Sequence, residues 1–203
     1  MNPATLATQD LVLVGGGHSH LFVLRHFGMH PVPGVRLTLV SRGSEAPYSG
    51  MLPGLVAGHY AADDLHFDLR RLAAFAGARF IRAEVTGLNA NARQLLLADR
   101  PPLDFDLLSL NVGITPSLVD LQAGRDAVTP VKPIDRFHAR WQALEARVLE
   151  GTGPFHLGVA GGGAAGVELA CAARHRLQPL LAARGRGLAV SLFTASEGLL
   201  PQH

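Results

Sequence analysis

The chain has 203 residues, of which 48% are hydrophobic, so it can bury one large core or two small ones. Its 18 basic and 16 acidic residues leave a net charge of only +2, and the basic residues are scattered, which argues against a nucleic-acid partner. A single cysteine, Cys171, excludes a disulfide framework or a dithiol redox pair within the chain.

No apolar stretch of the sequence approaches the roughly 20 residues that are needed to cross a bilayer. Residues 1–10 lack the basic start and the apolar segment of a signal peptide. We therefore expect a cytoplasmic protein without a transmembrane segment in this chain. Peripheral association of a longer protein with a membrane stays open.

The first glycine-rich turn follows a short apolar run at residues 11–14, which predicts a buried strand. Gly15, Gly16 and Gly17 come where that strand would turn tightly into a helix, and glycines there let backbone amides approach a pyrophosphate. The alternative is a tight turn without a ligand. The third glycine of the usual pattern is replaced by His20, so the helix and the strand must accommodate a larger side chain.

A helix and a second strand follow this turn. The apolar spacing of residues 21–27 predicts a helix that ends near Gly28, and residues 35–40 alternate like a strand. An acidic residue usually binds the ribose hydroxyls about 20 residues beyond the glycines. Here Ser41 and Arg42 stand at the end of the second strand, so a hydroxyl would bond to the ribose and a guanidinium would contact the adenosine.

The middle of the chain has weaker signals. Residues 41–59 are rich in Gly, Pro and Ser and predict a loop that lines a ligand site. A short helix is expected at 67–75 and a third strand at 79–85. Residues 94–97 and 105–110 are expected to be strands of a small added sheet, the second of them leading to a ligand-facing turn.

The last third of the chain repeats the first pattern. An amphipathic helix is predicted over 134–150, and we place a domain boundary after it, giving domains 1–150 and 151–203. A strand from residue 155 then leads to a second glycine turn. A helix is expected from about 164 to 183, with Cys171 packed in it as a small apolar residue.

The second turn matches all three glycine positions, at Gly161, Gly163 and Gly166, about 146 residues after the first turn. A strand at 188–193 is followed by Thr194 rather than by an acid, which leaves the choice between NADH and NADPH open. Two such turns predict two dinucleotides, with electrons passing from a nicotinamide to a flavin. Because this unit has only two strands and one helix, we expect it to be incomplete and the chain to be part of a longer protein.

Five segments together resemble a known family: VGGGHSH at 14–20, PYSGMLPG at 47–54, LNVG at 110–113, VKP at 131–133 and AGGGAAGVELA at 160–170. The chain resembles the pyridine nucleotide-disulfide oxidoreductase superfamily. Within it, the chain is similar to type II NADH dehydrogenase-like flavoproteins, and most similar to the form fused ahead of selenide, water dikinase.

The resemblance implies an α/β fold of the FAD/NAD(P)-binding Rossmann-like, three-layer type, with two dinucleotide-binding units of which the second is incomplete. It implies an FAD-dependent NAD(P)H oxidoreductase that passes a hydride to FAD and electrons onward to a quinone or another acceptor. One alternative is a non-catalytic, redox-sensing module attached to a selenide, water dikinase. A flavin monooxygenase-like enzyme is a second alternative. A homodimer is a further expectation, since open sheet edges favour association.

The resemblance also assigns cofactor contacts. Those expected for FAD are Gly15, Gly16, Gly17, His18, Ser41, Arg42, Tyr48, Met51, Leu52, Pro53, Val85, Asn111 and Gly113. Those expected for NAD(P)H are Gly161, Gly163, Ala164, Gly166 and Thr194. For Met51 and Leu52 the alternative is an ordinary core position.

Two further residues are candidates for catalytic roles. Lys132 would lie close to the flavin, where a cation favours the reduced ring; the alternative is a surface position. Glu168 would face the nicotinamide; the alternative is a helix-start carboxylate stabilised by the helix dipole. We expect no metal site, because His18 and His20 have no nearby carboxylate or thiolate.

Overall fold

The structure is a computed structural model that describes residues 9–114 and 128–200. These residues divide into two compact units. The first unit holds 9–48 and 66–114, and the second holds 49–65 and 128–200. In the second unit, the apolar side chains of 52–56 and of 137–148 share one hydrophobic core with the second glycine-turn segment.

The first unit is built on a four-stranded parallel sheet. Its strands are β1 (Gln9–Val14), β2 (Val35–Ser41), β5 (Arg79–Arg82) and β9 (Leu107–Leu110), in the order β5-β2-β1-β9. All three pairings are parallel. The carboxyl ends of all four strands therefore meet at one edge of the sheet, where ligands bind in folds of this kind.

The two faces of this sheet are covered by different layers. Because successive side chains in a strand point to opposite faces, Leu13, Leu37 and Leu39 pack against helices α1 (His18–Met29) and α3 (Leu69–Phe75). Their neighbours Val12, Val14 and Val40 instead form a core with Leu95 on the other face. The first unit thus has three layers: helices, parallel sheet and a small antiparallel sheet.

The small sheet consists of β6 (Val85–Asn89), β7 (Gln94–Leu97) and β8 (Leu103–Asp104), paired antiparallel. A separate antiparallel pair joins β3 (Glu45–Pro47) and β4 (His66–Asp68). The prediction for 94–97 is confirmed. The prediction that 105–110 joins the small sheet is wrong, because β9 (Leu107–Leu110) pairs with β1 in the main sheet, with Leu11 opposite Leu107 and Val14 opposite Leu110.

The second unit combines three helices with a parallel strand pair. The elements are α2 (Leu52–Ala57), α4 (Ile134–Glu150), β10 (Phe155–Ala160), α5 (Ala164–Ala182) and β11 (Leu188–Phe193). The strands β10 and β11 run parallel in a register from Phe155 opposite Leu188 to Ala160 opposite Phe193. The core joins side chains from all three helices, and Phe155, Leu157 and Leu188 of the strands pack against it.

Two local expectations in this unit are corrected and one is confirmed. The loop predicted at 41–59 contains a helix, α2, because Pro53 lies in its first turn, where no backbone N–H is needed, and Gly58 ends it in the left-handed conformation (φ +84°). Cys171 is exposed rather than packed in the core. The helix predicted at 134–150 is confirmed, and its buried residues are Phe137, Trp141, Leu144 and Val148.

Candidate dinucleotide-binding turns

The first glycine turn leaves no room for side chains at its three glycines. Gly15 has φ +91°, and a Cβ on it would clash with the carbonyl oxygen of Asn111. A Cβ on Gly17 would clash with the side chain of Asn111, and one on Gly16 would lie 2.6 Å from a methyl group of Leu69. The backbone conformation and the packing both require glycine here. The turn is therefore packed closely against Asn111 and Leu69 at the carboxyl edge of the sheet.

Neighbouring strands hold this turn in place through backbone hydrogen bonds. The Gly15 N–H donates to the carbonyl oxygen of Val40 at the end of β2 (2.8 Å). The Asn111 N–H donates to the carbonyl oxygen of Val14 (2.8 Å), and the Asn111 carbonyl accepts from the Gly17 N–H (3.2 Å). Asn111, predicted to lie in a ligand-facing turn, is thus in direct contact with the glycine turn.

Helix α1 begins at His18, with Gly17 as its N-cap and without a side-chain cap. The first amides of a helix have no partner within the helix, and together with the helix dipole they favour an anionic group. His18 is exposed and its ring stacks on Tyr48 with centroids 4.7 Å apart and an interplanar angle of 15°. Phe22 contacts the His18 ring edge-on, and Phe67 contacts Tyr48. The first turn is therefore flanked by aromatic rings.

His20 is buried, with 1% of its surface exposed. Its Nδ1 lies 2.7 Å from the carbonyl oxygen of Gly15, and its Nε2 lies 2.9 Å from the hydroxyl oxygen of Ser109 on β9. Because a carbonyl only accepts, we assign the proton to Nδ1, and Nε2 then accepts from the Ser109 hydroxyl. Burial lowers the pKa of His20, with the Gly15 hydrogen bond opposing that effect. The ring is therefore neutral near pH 7.

The residues expected to contact the adenosine part have different surroundings. Ser41 ends β2, directly after Val40, whose carbonyl binds Gly15. Arg42 is exposed, and its carbonyl accepts a hydrogen bond from Nε of Arg82 (3.3 Å). Val85 begins β6 and packs against the apolar cluster on the small-sheet side. Ser41 is thus next to the turn, whereas the side chain of Val85 is partly committed to packing.

The structure places the remaining expected FAD contacts in two settings. Gly113 has φ +76° and no atom within 4 Å of a Cβ built on it, so its conformation rather than crowding favours glycine. Leu52 is a buried core residue of the second unit, and Met51 packs against the same core. Pro53 lies in the first turn of α2. Leu52 therefore fits the alternative of an ordinary core position.

The second turn also requires glycines, and its backbone is packed more tightly than that of the first turn. Gly161 has φ +126°, and its N–H donates to the carbonyl oxygen of Phe193 at the end of β11 (2.8 Å). A Cβ on Gly166 would clash with the carbonyl oxygen of Gly161. Gly163 is the N-cap of α5, which also lacks a side-chain cap, and a Cβ on it would meet open space. This turn thus exposes the start of a long helix.

Thr194 lies against the second turn, because a Cβ on Gly162 would clash with its side chain. Its Oγ1 lies 2.7 Å from Oγ of Ser196 and accepts from the Ser196 N–H (3.2 Å). Ser196 was not predicted as a site residue, although hydroxyl residues two apart after a strand are a turn signal. Ser109, a polar residue in an otherwise apolar strand, was not predicted either.

The two candidate catalytic residues are both in the second unit. Glu168 is the fifth residue of α5 and is exposed, as is Ala164 at the helix start. Lys132 is half-buried and lies two residues before the start of α4. Within 9–114 and 128–200, no three His, Cys, Asp or Glu side chains are grouped so that they could hold a metal ion. In the same part of the chain, no helix combines the length and hydropathy needed to span a membrane.

Comparison with known proteins finds no matching family profile and no matching curated protein. Solved structures do match. For the sulfide:quinone oxidoreductase of the hyperthermophilic bacterium Aquifex aeolicus, the TM-score is 0.71 at 19% identity, over 92% of this chain and 43% of that chain. For reduced CoADR-RHD of Bacillus anthracis it is 0.70 at 20% identity, over 96% of this chain and 34% of that chain.

A third match is NDH2 from Plasmodium falciparum in complex with RYL-552, with a TM-score of 0.69 at 16% identity, over 90% of this chain and 41% of that chain. This chain therefore spans less than half of the length of each of these proteins. At such identities the likeness shows the fold. The predicted α/β fold of the FAD/NAD(P)-binding Rossmann-like type is confirmed.

Proposed function

We propose that this chain is part of an FAD-dependent NAD(P)H oxidoreductase of the pyridine nucleotide-disulfide oxidoreductase superfamily, with domains 1–150 for FAD and 151–203 for NAD(P)H. One observation carries the proposal. Each of two glycine turns lies at the carboxyl edge of parallel strands, has a positive φ at its first glycine and opens a helix without a side-chain cap. Two such phosphate-binding turns fit two dinucleotides.

The residues of the first unit fit FAD. Asn111 packs so closely against Gly15 and Gly17 that only glycine fits there, and the N-terminus of α1 favours the negative charge of a pyrophosphate. Ser41 would hold the ribose, and Asn111 would shape the turn from its far side. When bound, FAD would accept a hydride from NAD(P)H and pass electrons to an acceptor.

The residues of the second unit fit NAD(P)H. The pyrophosphate would lie against the turn of Gly161, Gly163 and Gly166 at the start of α5, and the Thr194 hydroxyl would bond to the ribose. The hydroxyl of Thr194 neither repels a 2′-phosphate as a carboxylate would nor holds it as an arginine would, so both NADH and NADPH are substrates to test. Support for a nicotinamide comes from the neighbouring folds, since NDH2 from Plasmodium falciparum was also solved in complex with NADH.

The finer parts of the proposal rest on the family resemblance. Lys132 would place a positive charge beside the flavin, and Glu168 would face the nicotinamide. A quinone or another small-molecule acceptor is proposed, because this chain has one cysteine and so no dithiol of its own. A quinone is included because a matching fold belongs to a sulfide:quinone oxidoreductase. A homodimer and a fused or partner selenide, water dikinase complete the proposal.

The test is flavin loading followed by anaerobic reduction. The chain is purified, its visible spectrum is recorded, and any released cofactor is identified by chromatography before and after incubation with FAD. We expect bound FAD that is bleached by NADH or NADPH. Gly17→Ala should lose FAD, whereas Gly43→Ala should keep it, since a Cβ on Gly43 makes only an ordinary contact at 3.5 Å.

Two outcomes would change the conclusion. A wild-type chain that neither carries nor takes up FAD contradicts the flavin assignment. A chain that binds FAD and NAD(P)H but is not bleached would support the redox-sensing module instead of the enzyme.

A further inference from the structure

In the first turn, His20 occupies the position at which the usual pattern has its third glycine. In the second turn, Gly166 comes so close to the carbonyl oxygen of Gly161 that no side chain fits. At the corresponding position of the first turn, His20 carries a full imidazole ring and places Nδ1 2.7 Å from the carbonyl oxygen of Gly15. The same carbonyl is thus approached by backbone in one turn and by a side-chain donor in the other.

The other end of the ring is also fixed. Nε2 of His20 lies 2.9 Å from the hydroxyl oxygen of Ser109, in the strand next to β1. Ser109 lies two residues before Asn111, whose backbone bonds to both Val14 and Gly17. The glycine turn is therefore attached to the end of β9 at two places, once through His20 and once through Asn111.

We propose that His20 is a positioning residue: its neutral ring, bonded to Gly15 and Ser109, fixes the glycine turn to the end of β9 and so sets the geometry that binds the dinucleotide. The effect on FAD rests on the proposed function; the effect on the turn does not. The turn at 15–17 is then held to Asn111 and Ser109 together. The hydrogen bonds of His20 would thus hold the first turn in place, as close helix-strand packing at Gly166 holds the second.

The burial of the ring supports this role. With 1% of its surface exposed, the His20 ring is shielded from solvent, so removing the Ser109 hydroxyl takes away the hydrogen-bond partner of a buried Nε2. Losing the Ser109 bond would also loosen the glycine turn, because the Gly15 carbonyl and the Ser109 hydroxyl are joined through one rigid ring.

The experiment compares three variants with a matched control, using the whole chain. Ser109→Ala removes one partner, His20→Ala removes both bonds, and His20→Asn keeps an amide N–H near the position of Nδ1. The control is Thr38→Val, since Thr38 is equally buried in β2 and its hydroxyl has no partner among the described residues. The measurements are the FAD dissociation constant, the free energy of unfolding and the exchange rate of the Gly17 amide.

We expect Ser109→Ala to weaken FAD binding roughly tenfold and His20→Ala to weaken it more, with His20→Asn recovering part of the loss. Gly17 amide exchange should be faster in Ser109→Ala and His20→Ala than in the wild type. Thr38→Val should change neither the FAD dissociation constant nor the exchange rate. Equal FAD affinity in all folded variants, or no recovery in His20→Asn, would overturn the proposal.

A wild-type chain that binds no FAD defeats the proposed function but still leaves a decision on His20. In that case the apo chain is used. Faster Gly17 exchange in Ser109→Ala, together with a ring protonated at Nδ1 in nitrogen NMR of the wild type, supports the positioning role. Unchanged exchange, or a ring protonated at Nε2, rejects it.

Discussion

The guanidinium of Arg186 donates to the carbonyl oxygen of Val148, 2.6 Å away, in the last turn of α4. Its Nε also donates to the carbonyl oxygen of Gly153 (2.6 Å). One side chain from the loop before β11 therefore satisfies a carbonyl at the end of α4 and one in the connection to β10. A positive charge at this end of a helix is also favoured by the helix dipole.

Arg186→Ala should lower the free energy of unfolding by about 1 to 3 kcal/mol, because two charge-assisted hydrogen bonds are lost. The free energy of unfolding of Arg186→Lys should lie between those of the wild type and Arg186→Ala, since lysine keeps the charge but not the fork of donors. The measurement is urea unfolding. Arg174→Ala, which loses only an exposed bond to Gln178, is the control, and an equal effect of both alanine variants would contradict the capping role.

Gly166→Ala should abolish NAD(P)H binding, because the new Cβ would meet the carbonyl oxygen of Gly161 and push the turn from the helix. Titration calorimetry with NADH measures this. Gly187→Ala is the matched control, since a Cβ there would lie 3.9 Å from Pro154. NADH binding by Gly166→Ala equal to that of the control would count against the second turn as the nucleotide site.

The stability of the chain should depend on pH through His20. Burial lowers its pKa in the folded chain, so below the ordinary value of 6.5 the unfolded chain binds more protons. The stability that goes with the neutral ring is complete above about pH 6.5 and is lost as the pH falls through the lowered folded value. Urea unfolding at several pH values between 8 and 4 should show this fall in the wild type and a smaller one in His20→Asn; parallel profiles would refute it.

Cys171 should react with a thiol reagent in the folded chain, because its side chain is exposed on α5. We expect one equivalent of label under native conditions, at a rate close to that in denaturant, and none in Cys171→Ala. A thiol that becomes reactive only after unfolding would show that the residue is covered in solution.

The sequence predicted the parts of the fold that have a local signal. Both glycine turns, the strands before them and the amphipathic face of α4 follow from residue type and spacing alone. The partner of β9 could not be predicted, because the four residues LLSL specify an apolar strand but not the strand beside it. Tertiary packing makes that choice.

The candidate site was predictable at its glycines and much less so at its side chains. The segment with Pro53 and Gly54 looked like a loop, yet it forms a helix in which Gly54 makes room for the ring of Tyr60. His20 was identified as a departure from the pattern, but its bond to Ser109 joins residues 89 positions apart. Such a pairing has no signature in one sequence.

The segment 49–65 leaves the first unit and returns to it, while its buried leucines complete the core of the second unit. The polypeptide consequently passes between the units three times: after Tyr48, after Leu65 and after Ile114. A cut after Ile114 would keep the whole first unit on one fragment but would take 49–65 away from the second unit. A protease nick or a truncation between residues 49 and 114 would separate side chains that share one hydrophobic core, so the two units should be expressed and engineered as one chain.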